Sequence, residues 1–144
     1  MTTATISART RPTDATRWRS IAADLSFWTV VGGVVAALSG RLGDWWNVPR
    51  AELLIGGLAF LAAGPALLFG LNRIRPTPRG LVLGFGVANL LLAPTLWAAA
   101  ALGWLPLSAA GNWALAGAGD VALVLGVWQL ATLRRLRRTE QRAA

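Results

Sequence analysis

Few residues in this chain are equipped for chemistry. It has six acidic side chains and fourteen basic ones, all arginine, with no cysteine, histidine, tyrosine or lysine. The absence of cysteine removes disulfides, thiol nucleophiles and thiolate metal sites. The absence of histidine removes bis-histidine haem ligation, most zinc sites and every Ser-His catalytic pair. No cofactor motif is present and the nucleophile–base inventory is nearly empty, so the sequence does not read as an enzyme.

What remains is a carboxyl in an apolar setting. Asp120 sits near the middle of AAGNWALAGAGDVALVLGVWQLATL, residues 109–133. If that run crosses a bilayer, an ionised carboxylate at its centre costs about 2.5–3.5 kcal/mol on insertion scales, so the residue needs a partner or a purpose. Asn89, at a similar depth in the preceding apolar run, is the expected partner. Pro94 has no N–H to give to the Leu90 carbonyl, which leaves a second acceptor beside Asn89. Side chains lean toward their own helix N-terminus, and consecutive spans run in opposite directions. Asn89 and Asp120 therefore lean apart, and a bridging water is one way for them to meet.

Helical spacing places Trp113, Gly117, Asp120, Val124 and Trp128 on one face. It places Gly86, Asn89, Ala93 and Trp97 on another, and Asp24, Trp28 and Gly32 on a third. If these faces converge, the interior is a space walled by Trp28, Trp97 and Trp128 around the Asp120–Asn89 pair. Two roles stay open for that pair: a hydrogen bond that holds helices together, or a ligand or proton site. Asp24, close to the arginine-rich start of its run, reads as a boundary residue neutralised by a nearby arginine or by water.

The elements that would carry these residues are membrane spans. Hydrophobic residues make up 55% of the chain and charged residues 14%, against roughly 25% charged in a soluble domain. Four apolar runs stand out, at about 21–40, 51–71, 80–102 and 109–133. Twenty residues at about 1.5 Å each match a hydrocarbon core of about 30 Å. The expected fold is an all-α bundle of four transmembrane helices. Residues 1–20 read as a polar tail with a helix start near Thr13, and 134–144 as a basic tail. Asn47 reads as the N-cap of the second span. A signal peptide cleaved near Ala37–Ser39 is the competing reading of the first run, which is long for that role and carries Asp24 and Trp28. Pro65 and Pro94 fall inside spans and should kink them.

Arginine decides the orientation. The N-terminal tail, second loop and C-terminus carry four, three and five arginines, while the first loop carries two and the third none. By the positive-inside rule both termini are cytoplasmic. The net charge of +8 belongs to these clusters, which suit anionic lipid headgroups rather than nucleic acid. Arginine without lysine, beside abundant Ala and Gly, points to a bacterial source and so to the inner membrane.

Small residues recur at four-residue spacing: Gly33–Ala37, Ala59–Ala63, Ala62–Ala66–Gly70, Gly80–Gly84–Ala88 and Ala118–Ala122–Gly126. They let helices approach closely, and here they read as packing inside the bundle. The stretches AELLIGGLAFLAAGPALLFG and GDVALVLGVWQLATLRRLRR, each meeting an arginine cluster, resemble small four-helix bacterial membrane proteins of the DoxX-like kind. That resemblance implies the four-helix fold and no activity.

Three functions fit. The chain is a structural or accessory membrane subunit, in a homo-oligomer or a larger membrane complex; or it binds or carries a small lipophile, quinone or lipid in a Trp-lined interior; or it is a proton-linked transporter using Asp120. A cavity around Asp120 would favour the second or third. A long exposed groove of small residues would favour the first. The topology has its own test: reporter fusions after residues 47, 77, 107 and 144 should read outside, inside, outside and inside, and an external C-terminus would contradict the arginine argument.

Overall fold

A computed structural model describes residues 12–74 and 76–142. The first eleven residues of the expected polar tail, Arg75 and the last two residues of the basic tail lie outside the described residues. The described chain is helical: α1 (Pro12–Ala37), α2 (Ser39–Trp46), α3 (Arg50–Asn72), α4 (Arg79–Leu102) and α5 (Ala109–Arg142). All but α2 are long and apolar enough to cross a membrane.

Within residues 1–20, α1 begins at Pro12, one residue from the helix start expected near Thr13, so the helix runs well ahead of the apolar run; Pro12 stands in the first turn, where its missing N–H has no cost. The boundaries differ from the sequence reading in two places. The basic segment after Leu133 continues α5 to Arg142, and Glu140 in it pairs with Arg17 of α1 at 3.0 Å. The first loop is largely the short helix α2. Asn47 closes that helix as its left-handed C-cap (φ 58°, ψ 43°) instead of opening the next one, which Pro49 precedes. Asn tolerates this conformation better than other residues with a side chain. Pro65 and Pro94 both lie within continuous helices.

The long helices associate as two pairs. α1 packs along α3, and α4 packs along α5; the pairs meet chiefly through α1, while α2 touches α3 and α5. Glycine sets the closeness of each pair. A Cβ on Gly57 would lie 2.6 Å from the Ala36 nitrogen and 2.7 Å from the Gly32 carbonyl oxygen, so α1 and α3 touch backbone to backbone. A Cβ on Gly126 would lie 2.9 Å from the Gly86 carbonyl oxygen, which joins α4 and α5 in the same way.

Not every small-residue stripe is used. Ala122 and Gly126 are buried as expected. Gly80, Gly84 and Ala88 on α4, and Ala59, Ala62, Ala63, Ala66 and Gly70 on α3, face outward. The expectation of internal packing is therefore corrected for these three stripes. The reason is angular: at about 100° per residue, one helix cannot present every small pair to one neighbour. Gly57 and Gly64 take the contact on α3.

The two pairs are tied at both ends. At the end where α1 begins and α5 finishes, Ile21, Leu25, Val82 and Leu133 form a buried cluster, with Leu68, Leu71 and Phe85 packed against it. The Thr77 N–H there donates to the Asp14 carboxyl, linking the α3–α4 loop to α1. At the α2 end, the Ser108 N–H donates to the Trp46 carbonyl (3.0 Å) and the Asn47 amide to the Pro106 carbonyl (2.9 Å). Ser108 Oγ also accepts the Gly111 N–H at 3.2 Å, capping the start of α5.

Adjacent glycines give a matched test of this packing. Gly57→Leu should lower unfolding stability in detergent by at least about 1–3 kcal/mol, because the contact is backbone and cannot give way. Gly56→Leu, where an added Cβ meets nothing within 4 Å, should leave it nearly unchanged.

Candidate functional site

The polar centre of the bundle is not where Asp120 lies. It is built by Asp24 of α1, Asn89 of α4 and Gln129 of α5, all buried, with Asp24 at 2% and Gln129 at 0% relative exposure. Asp24 Oδ2 accepts the Asn89 amide at 2.7 Å and the Gln129 amide at 2.8 Å. Asn89 Nδ2 also approaches Gln129 Oε1 at 3.3 Å. One carboxyl oxygen thus receives a side-chain amide from each helix of the α4–α5 pair.

Local structure explains the placement. On α5 the buried residues Gly119, Ala122, Gly126, Gln129 and Leu133 share one stripe. On α4 the buried residues Val82, Gly86, Asn89 and Ala93 do the same. The Gly126–Gly86 contact lies one turn from both amides and brings the two helices close at that level. Asn89 leans toward the start of α4 and Gln129 toward the start of α5, and these helices are antiparallel, so the two side chains converge. α1 adds Asp24 one turn beyond Ile21 and beside Leu25, both buried.

The pairing expected of Asn89 is therefore corrected. Its partners are Asp24 and Gln129, while Asp120 is exposed on α5. Asp120 lies two residues from buried Ala122, about 200° round the helix at about 100° per residue, so it points away from α4. It makes no hydrogen bond or ion pair with any described residue. The boundary role expected of Asp24 is corrected too, because its carboxyl faces inward to two amides and no described arginine bonds it.

The tryptophans do not wall an interior either. Trp28 is half-buried between α1 and α3, edge-on to Phe27 and 6.2 Å from the Phe60 ring centroid. Trp97, partly exposed, reaches from α4 to α5 and donates its indole N–H to the Ala116 carbonyl at 3.2 Å. Gly119 makes room for it, since a Cβ there would stand 2.7 Å from that indole nitrogen. Trp128 is exposed. A Trp-lined space does exist as an open groove of about 430 Å³ along the α4–α5 pair, between Trp97 and Trp113 near the α2 end. Asn112 lines it, and the Asn112 Oδ1 atom is buried without a partner.

Gln129 is the site residue that the sequence reading passed over. It stands five residues before the arginine cluster of α5, as Asp24 stands five after Arg19. Equal distance from the charged end was the available signal. No family model, curated protein or solved structure matches the chain, so the site stands on its geometry alone.

Chemically, the cluster is a three-helix hydrogen-bonded clasp. Asp24→Leu strands two buried amides and should destabilise the bundle by about 1–3 kcal/mol. Asp24→Asn keeps an acceptor of the same size and should be milder. Asp120→Leu should change unfolding by no more than about 0.5 kcal/mol, as an outward substitution does. Reversible unfolding of the three variants in detergent measures the contrast, and equal losses from Asp24→Leu and Asp120→Leu would contradict it.

Proposed function

We propose that this chain is a structural or accessory subunit of a membrane assembly, held in a bacterial inner membrane with both termini cytoplasmic. The observation that carries this reading is the outer face of α3. Gly56, Ala59, Ala63, Ala66 and Gly70 recur at alternating three- and four-residue steps, and all are exposed. Added Cβ atoms on Gly56 and Gly70 would meet nothing within 4 Å. In lipid, helices associate through close packing of small residues and through polar contacts, since the hydrocarbon gives no hydrophobic drive between them. A smooth face along a whole span, on a helix that among the described helices touches α1 and α2 alone, is suited to a second membrane protein.

The arginine asymmetry supports the orientation, and the clusters near α1 and after Leu133 fit anionic headgroups. The DoxX-like resemblance stays a proposal about layout, resting on the two stretches quoted above.

A second reading has one observation in its favour. The Trp97–Trp113 groove, with the unpartnered Asn112 Oδ1 beside it, suits a small lipophile or lipid that carries one hydrogen-bond donor.

Native mass spectrometry of the chain ejected directly from its membrane separates the two. The subunit reading expects the chain to leave with a different protein attached, and Ala63→Leu, which blocks the α3 face, to abolish that species. A chain that carries only a small apolar molecule would favour the groove, and one that leaves with no other protein would contradict the subunit reading.

A further inference from the structure

Arg41 and Arg50 stand between the first two spans, at the opposite end of the bundle from the other described arginines. The fold brings them to one place. α1 ends at Ala37, α2 carries Arg41 in its first turn, and α3 starts at Arg50. Both arginines line one open space of about 340 Å³ at this end of the α1–α3 pair. Both are exposed, and neither makes a hydrogen bond, ion pair or ring contact with a described residue. Ser39 lines the same space; it is 3% exposed, and its hydroxyl has no hydrogen-bond partner among the described residues. No acidic residue lines it. Of the two acids nearby in sequence, Asp44 lines the adjoining space with Arg50, and Glu52 lines a groove with Trp28. The rest of the wall is apolar, with Ala36 and Leu38 from the α1–α2 junction and Leu54 one turn into α3.

We infer that this space binds the phosphate group of a phospholipid in the leaflet at this end of the bundle. A guanidinium presents its N–H groups as a fork that matches phosphate oxygens in pairs, and it is held charged at any working pH. Two forks from different helices meet here, and nothing in the lining compensates their charge. A phosphodiester offers two free oxygens to them, and the Ser39 hydroxyl is a further donor. Position selects a lipid as the source of that phosphate. The arginines stand where one span ends and the next begins, the level of the headgroups, which Trp45 and Trp46 of α2 also mark. From there Ala36 and Leu54 continue the wall into the spans, where an acyl chain would follow its phosphate. A free phosphate ion would leave that apolar wall uncovered. The site also accounts for the charge placement: Arg41 and Arg50 run against the orientation bias of the other arginines, and a ligand is a reason to keep them. The inference concerns the chain by itself, so it goes beyond the subunit reading and can fail without it.

Native mass spectrometry of the purified full-length protein in detergent, titrated with phosphatidylglycerol, tests this. Replacing both arginines, Arg41→Gln with Arg50→Gln, should weaken the tightest-bound lipid by about ten- to a hundredfold, the range for hydrogen bonds to a charged group. Arg73→Gln with Arg79→Gln removes the same charge at the other end of the bundle and should leave that affinity nearly unchanged. All four arginines are exposed, so the fold should survive, and unfolding curves of both variants check it. On the unaltered protein, diacylglycerol, which has the chains without the phosphate, and inorganic phosphate, which has no chains, should each bind far more weakly than phosphatidylglycerol. Equal lipid affinity with and without Arg41 and Arg50 would overturn the inference. So would diacylglycerol binding as tightly as phosphatidylglycerol, or inorganic phosphate doing so, which would make the ligand a free anion. A lipid lost instead with Asn112→Leu would lie in the Trp97–Trp113 groove and would overturn it too. The subunit reading is judged on the protein that leaves the native membrane with the chain, so either can fall while the other stands.

Discussion

The bundle depends on one carboxyl oxygen. Asp24 Oδ2 receives the amides of Asn89 and Gln129, at 2.7 and 2.8 Å, and thereby joins the α1–α3 pair to the α4–α5 pair. Each pair is already held by glycine-mediated backbone contact. Between pairs the contact is thinner, running mostly through α1. The cluster of Ile21, Leu25, Val82 and Leu133 packs the same end of the molecule, but apolar packing gives little direction in lipid, where hydrocarbon is as good a neighbour as leucine. The hydrogen bonds supply the direction. They fix the rotation of α1, α4 and α5 at once, because three side chains must converge on one point.

With those rotations fixed, the outward faces follow. Turning Gln129 and Gly126 inward turns Asp120 and Gly117 outward. Turning Gly57 and Gly64 against α1 turns the Gly56 to Gly70 stripe of α3 toward the surroundings. The proposed association face of α3 is thus a consequence of the internal packing. Small residues occur on both sides of these helices, and what separates an internal seam from an external one is which side also holds the polar partners.

The sequence made the four spans legible because span length, apolar content and arginine placement are properties of single segments. Rotation is a property of pairs, and there the reading went astray. Asn89 was legible as a polar residue in need of a partner. Depth alone favoured Asp120, although the lean of the side chains argued against it; the same lean favours Gln129, which converges on Asn89 from the antiparallel helix. Asp24 looked like a boundary residue because Arg19 precedes it by five positions. Its burial goes with the Asp14–Thr77 and Arg17–Glu140 links, which join that end of α1 to the α3–α4 loop and to α5. Those links are long-range, and no local pattern announces them. Asn47 shows the same limit on a smaller scale. An Asn before Val-Pro fits an N-cap, and only the fold of α2 shows that it ends a helix.

The measurement closest to the centre of this account is a dipolar coupling in a lipid bilayer between the side-chain nitrogen of Asn89 and the carboxyl carbon of Asp24, by solid-state nuclear magnetic resonance on selectively labelled protein. The account predicts a strong coupling, as a 2.7 Å nitrogen–oxygen contact demands, and a comparable one from the Gln129 nitrogen. A coupling from Asn89 to Asp120, with none to Asp24, would contradict the arrangement of all three helices.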